Sequence, residues 1–171
     1  MHAQLSFAPR KPMSYFSLKK LAFAVALSAS LTASAQAESK GISGPLLPKY
    51  QQECAACHLA YPPGMLPAAS WQRIMGALNQ HYGADASLDE ATTREIGVWL
   101  KAHAGSYKRV SEQPPQDRIS KSAWFLQKHR PGELPADVWK RAAVGSPANC
   151  AACHRSAAQG SFNEHEVKIP K

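Results

Sequence analysis

The chain has 171 residues, room for one domain or two small halves, and its 20 Lys and Arg against 12 Asp and Glu give a formal charge of +8. The basic residues form neither a stripe nor a recognisable binding motif, which excludes a nucleic-acid role. No stretch keeps up a period-two alternation, so strands should be few and the fold mainly α.

At the N-terminus, Met1 to Lys20 carry Arg10, Lys11, Lys19 and Lys20 and no acidic residue. An apolar run from Leu21 to Leu31 and then Ala35-Gln36-Ala37 follow. That order of basic, apolar and small-x-small segments is a secretory signal peptide, residues 1–37. The apolar run is too short to span a bilayer, so no membrane span is expected after cleavage. Met13 is an alternative start to Met1 and would give a tidier signal. Cleavage after Ala37 leaves 134 residues, 38–171, with a formal charge of +4, so the precursor overstates how basic the working protein is. The expected location is the periplasm.

Glu38 to Gly44 reads as a frayed terminus, and Leu46 to Cys57 predicts a short helix with Pro48 near its start and Tyr50 on its inner side. This helix runs into Cys54-Ala55-Ala56-Cys57-His58, and the chain repeats the pentapeptide as Cys150-Ala151-Ala152-Cys153-His154. C-x-x-C-H is the attachment signature of c-type haem: two thiols add across the vinyl groups and the adjoining His gives the iron an axial imidazole. Two identical copies use all four cysteines, so two covalently bound haem c groups are the expected cofactors. Cys54, Cys57, Cys150 and Cys153 would hold them, with His58 and His154 as proximal ligands. Export fits this chemistry, because the thioethers form on the far side of the inner membrane. Small halves bury too little apolar surface to be stable unaided, so each should pack on its haem, and the apo chain should fold poorly.

Tyr61-Pro62-Pro63-Gly64 makes residues 59–69 an irregular loop over the first haem. Ser70 reads as the N-cap of a helix over 71–82, with Trp71, Ile74, Met75, Leu78, His81 and Tyr82 on one stripe and Gly83 ending it. Ser87-Leu88-Asp89-Glu90 reads as a capping box for a helix that carries Leu88, Ile96, Trp99, Leu100 and His103 and stops near Gly105. Residues 38–105 are thus an N-terminal helical haem domain. Residues 106–116, polar and containing Pro114-Pro115, are the linker, and 117–171 are a second haem domain. There, helices are expected over 119–130, with Trp124, Phe125 and His129, and over 135–143. Gly145-Ser146-Pro147 turns the chain into the second motif, and the polar tail 157–171 should be extended.

The sixth position of each iron decides function, since a strong second ligand makes an electron carrier and an open position permits ligand binding or catalysis. His81, His103, His129 and His165 are the remaining histidines after the signal. His81 is favoured for the first haem, on an apolar stripe 23 residues after His58. His103 is a lesser candidate at a helix end. His129, 25 residues before His154, is favoured for the second over His165, whose flanks Glu164 and Glu166 suggest a solvated tail. The bland reading of each is a core or helix-capping histidine. Met65 and Met75 are better read as loop packing and core than as ligands. With ligand after motif in one half and before it in the other, the repeat is not a duplicated domain.

The chain resembles the dihaem cytochrome c family found beside sphaeroides haem protein in bacteria. The resembling segments are Cys54 to His58 with Tyr61-Pro62-Pro63, Leu66-Pro67-Ala68, Ser70-Trp71, His81-Tyr82-Gly83, Trp99-Leu100, Trp124-Phe125 to His129, Pro147 to His154, and Val167 to Pro170. The resemblance implies a periplasmic protein with two low-spin bis-His haems, a cytochrome c-like N-terminal half and a distinct C-terminal half. It implies no enzyme but an electron carrier, delivering to a soluble high-spin cytochrome c, with a membrane cytochrome b as a source. His81 and His129 match the expected sixth ligands. The competing reading is a small dihaem enzyme, a peroxidase or small-ligand reductase, with one open haem. A zinc or thioredoxin-like thiol role is weaker still, because the C-x-x-C pairs are too far apart and each is followed by His.

Overall fold

The computed structural model of the chain describes residues 45–106 and 110–171. The signal peptide, the choice of start and the frayed segment before residue 45 lie outside the described residues, as do 107–109 of the expected linker. The described residues hold four α-helices, several 3-10 turns and two isolated bridges, and no strand, which makes the fold mainly α.

Helix α1, Pro48–Cys54, starts with proline in the first turn, where a missing N–H costs nothing, and buries Tyr50. It is shorter than the predicted 46–57, so Cys57 and His58 sit in the turns that follow it. The loop after them carries a 3-10 turn, Pro63–Met65, and is buried from Pro62 to Leu66.

Helix α2, Ala68–Met75, starts at Pro67 rather than Ser70; Ser70 is fully buried inside its first turn. The expected helix to Tyr82 is broken. Gly76 forms the C-cap, and Leu78–Gln80 is a separate 3-10 turn. The chain then reverses tightly through His81–Ala84, with Tyr82 at φ 53° and Gly83 at φ 101°. A left-handed pair cannot extend a helix, and the Ala86 N–H bonds back to the Leu78 carbonyl at 2.8 Å. His81 therefore sits on a turn, not on a helical stripe.

Helix α3, Glu90–His103, is capped by Asp89, whose carboxylate accepts the Thr92 N–H at 2.9 Å. The expected cap, Ser87, instead donates its N–H to Asp85. A carboxylate at a helix N-terminus outcompetes a hydroxyl two residues upstream, and Leu88 is left outside the helix. Tyr50, Leu66, Trp71, Met75, Ile96 and Leu100 form the core between α1, α2 and α3. The Gly105 N–H bonds to Leu66 O at 2.9 Å, and a Cβ at Gly105 would collide with Val110 and the Gly64 carbonyl, so this crossing needs glycine.

The residue that follows the expected linker is tied to α2. Asp117 receives two hydrogen bonds from Arg73, at 2.7 and 2.9 Å. Helix α4, Ala123–Lys128, is half the predicted length. Ser122 caps it, and the residues before it form a 3-10 turn, Ile119–Lys121. The expected helix over 135–143 is a succession of tight turns with one 3-10 segment, Val138–Lys140, which buries Val138 and Val144. The tail is not simply extended. It holds 3-10 turns at Ala157–Gln159 and Glu164–Glu166, the Lys168 N–H bonds to Cys153 O at 3.0 Å, and Arg141 donates to Pro170 O at 2.6 Å. No helix among the described residues is long and apolar enough to cross a membrane.

Candidate cofactor sites

Each pentapeptide is bent so that its cysteines and histidine lie in consecutive turns rather than along one helix. Cys54 ends α1, while Cys150–Ala152 form a 3-10 turn with the His154 N–H bonded to Cys150 O at 2.8 Å. All four cysteines are free thiols. Burial, with Glu53 nearby, raises the Cys54 thiol to about 11, and burial also raises Cys150 and Cys153. Burial thus disfavours the thiolate form at all three.

In the first site, the His58 and His81 rings have centres 6.0 Å apart with planes 19° from parallel. His58 uses Nδ1 on the Leu59 carbonyl at 2.7 Å, which turns its Nε2 outward. Tyr61 lies nearly parallel to His58, with centres 5.1 Å apart. His81 is positioned by its turn, which is clasped in place by the neighbouring residue. The Tyr82 hydroxyl donates to the Gln116 and Asp117 carbonyls at 3.2 and 3.1 Å, and the Arg118 guanidinium lies 4.2 Å from its ring centre. Burial, together with His58 and Arg118 nearby, lowers the His81 pKa and favours the neutral imidazole that a metal requires.

In the second site, the His129 and His154 rings have centres 6.2 Å apart, with planes at 68°. His129 follows α4 directly; its Nδ1 meets Phe125 O at 2.9 Å and its ring stacks on Phe125 at 4.0 Å and 16°. His154 faces Phe162 at 5.3 Å, and its buried Nδ1 has no hydrogen-bond partner. Burial and His129 lower the His154 pKa, against the opposing pull of Glu164.

These separations fit one metal between each pair. A metal–imidazole bond of about 2.0–2.1 Å plus about 1.1 Å from nitrogen to ring centre, taken twice, puts trans imidazole centres about 6.3 Å apart. A cavity of about 710 Å³ adjoins the first pair. Cys54, Cys57, Trp71 and Leu78 line it, and it reaches Ala148 and Cys150 at the start of the second motif. Its apolar walls and four converging donors suit a haem, with Cys54 and Cys57 to bind its edge and His58 and His81 to bind its iron.

His103 and His165 are placed otherwise. His103 is exposed on the last turn of α3, with Nδ1 on the Trp99 carbonyl at 2.8 Å and its ring against Trp99. His165 is exposed in the tail, where its N–H bonds to the Asn163 side chain. Met65 and Met75 are buried, Met75 in the α2–α3 core.

Sequence reasoning missed the residues that hold the imidazoles. Phe125 lies four residues before His129, a helical spacing that was available as a signal. The bond from the Tyr61 hydroxyl to Ala148 O, at 2.8 Å, joins the first site to the second motif across 87 positions, and no local pattern announces it.

A family model of dihaem cytochrome c matches residues 50–162. Among solved structures, the chain is similar to DHC purified from Rhodobacter sphaeroides, at 42% identity and TM-score 0.61, over 70% of this chain and all of that one. It is also similar to a dihaem cytochrome type c from Shewanella baltica, at 38% identity and TM-score 0.63, over 74% of this chain and 95% of that one. None of the curated proteins matches it.

Proposed function

This chain belongs to the dihaem cytochrome c family, and we propose that it is a non-enzymatic carrier of electrons between redox proteins. Cys54 and Cys57 bind one haem covalently and Cys150 and Cys153 the other. His58 with His81, and His154 with His129, take both axial positions of each iron. The haems supply the chemistry, a one-electron change between ferric and ferrous iron at each site. The observation that carries this reading is the matching separation of the two imidazole pairs, 6.0 and 6.2 Å.

The protein's own residues orient two of the four imidazoles. Nδ1 of His58 and of His129 rests on a carbonyl, which would fix the orientation of each ring toward a bound iron. Two imidazoles in place of imidazole and thioether put both potentials at the low end of the c-type range. With both positions of each iron closed by imidazole, neither would offer the open coordination position that a peroxidase or small-ligand reductase needs. We place the working protein in the periplasm, after removal of residues 1–37. Its acceptor would be a soluble high-spin cytochrome c and its donor a membrane cytochrome b, as the family resemblance implies.

Anaerobic spectropotentiometry of the holoprotein, followed by rapid mixing with an oxidised soluble high-spin cytochrome c, tests the reading. Two reversible one-electron steps and electron delivery without turnover of peroxide are expected. Sustained peroxide turnover would establish the enzyme instead.

A further inference from the structure

The two sites differ in one respect that their shared motif hides: the imidazole planes are 19° apart in the first pair and 68° apart in the second. Resting on the bis-imidazole reading above, the geometry points to Tyr61 and Phe125 as positioning residues that set these planes and so make the two irons electronically inequivalent.

With one iron between Nε2 atoms, the interplanar angle is the twist about the axis through both ligands. Each imidazole donates π density through the orbital normal to its ring. Near-parallel rings push on the same iron d orbital and split it well away from its partner. Crossed rings push on both and leave them nearly degenerate. The first iron therefore has a strongly rhombic low-spin ferric state, and the second a nearly axial one.

Specific contacts produce the difference. In the first site, Tyr61 lies 24° from the plane of His58, and the Leu59 carbonyl takes Nδ1 of the same ring. Tyr61 is itself fixed at both ends, with its hydroxyl on Ala148 O and its own carbonyl accepting the Tyr50 hydroxyl at 2.8 Å. In the second site, Phe125 holds His129 twice, with its ring 16° from the imidazole plane and its carbonyl on Nδ1. His154 has no such clamp. Its plane follows the motif turn and meets Phe162 at 50°. The crossing at the second site thus comes from one clamped and one motif-directed ring.

Low-temperature electron paramagnetic resonance of the fully oxidised holoprotein tests this. Two low-spin signals of equal spin count are expected, one with three resolved g values and one with a single large-g feature. Phe125→Leu should shift the large-g signal and leave the rhombic one; Tyr61→Leu should do the reverse. Phe125 is buried, so if Phe125→Leu fails to fold, the spectrum of the unaltered protein still decides. Two signals of the same type overturn the inference, and a Phe125→Leu protein with an unshifted second signal removes Phe125 from it. High-spin iron at either site overturns the bis-imidazole reading itself, an outcome separate from two like low-spin signals.

Discussion

Trp71 ties α2 to the loop beside the first site, and its replacement by Phe is a quantitative test of that packing. The indole is 5% exposed, and its N–H donates to Pro63 O at 2.7 Å in a buried setting. Trp71→Phe leaves that carbonyl only the long bond from the Leu66 N–H, at 3.4 Å, and costs about 1–3 kcal/mol. Shrinking the ring adds about 1–2 kcal/mol in lost burial and residual cavity. At about 3 °C per kcal/mol for a chain of this size, the melting temperature should fall by about 6–15 °C. Trp124→Phe is the internal control. Its indole is only half-buried and donates to Met65 O at a longer 3.3 Å, so it should cost about half as much or less. Thermal unfolding of the two holoproteins, followed by far-ultraviolet circular dichroism, makes the comparison. A loss of less than about 3 °C for Trp71→Phe, or a larger loss for Trp124→Phe, would refute the idea that this hydrogen bond anchors the loop.

Arg73→Ala should expose a pH signature. The Arg73 guanidinium, bonded to Asp117, holds that carboxyl below the ordinary carboxylate range. A depressed folded pKa stabilises above the unfolded value near ~3.9 and stops doing so as pH falls through the folded one. The gap in urea midpoint between parent and variant should be steady near neutrality and close in acid; a gap independent of pH would sink this. Tyr61 behaves oppositely, because burial first and Cys150 second raise its hydroxyl to about 12. Its contribution is complete below pH ~10 and lost between ~10 and ~12, so Tyr61→Phe should flatten the alkaline limb of a stability profile. His81→Ala and His129→Ala should each open one haem to carbon monoxide, whereas His103→Ala and His165→Ala should leave the parent spectrum; a spectral change in either of the latter pair would reassign a ligand.

Chemistry was more legible in the sequence than geometry. The pentapeptides carry their meaning in residue type and spacing, which folding does not alter, and ranking His81 and His129 by apolar context selected the histidines that stand 6.0 and 6.2 Å from His58 and His154. The route to His81 differs from the one the stripe predicts, however. The stripe from Trp71 to Tyr82 looked like one helix because periodicity does not register the left-handed turn at Tyr82 and Gly83, which long-range bonds to residues 116 and 117 support. Asp89 displaced Ser87 as the cap of α3 because a capping-box pattern does not weigh carboxylate against hydroxyl. The tail reads as solvated from its composition, yet two bonds to its own main chain hold it, between the Lys168 N–H and Cys153 O and from the Arg141 guanidinium to Pro170 O. Backbone pairing of that kind leaves no mark on side-chain pattern.

In the proposed carrier, four histidines close both irons. The most direct test of that closure is carbon monoxide mixed with the dithionite-reduced holoprotein, after the haems have been counted by pyridine haemochrome. Two haems per chain that resist acid-acetone extraction, with no fast phase of carbon monoxide binding, are predicted. A fast phase at one haem per chain, or haem that extracts freely, would contradict the account.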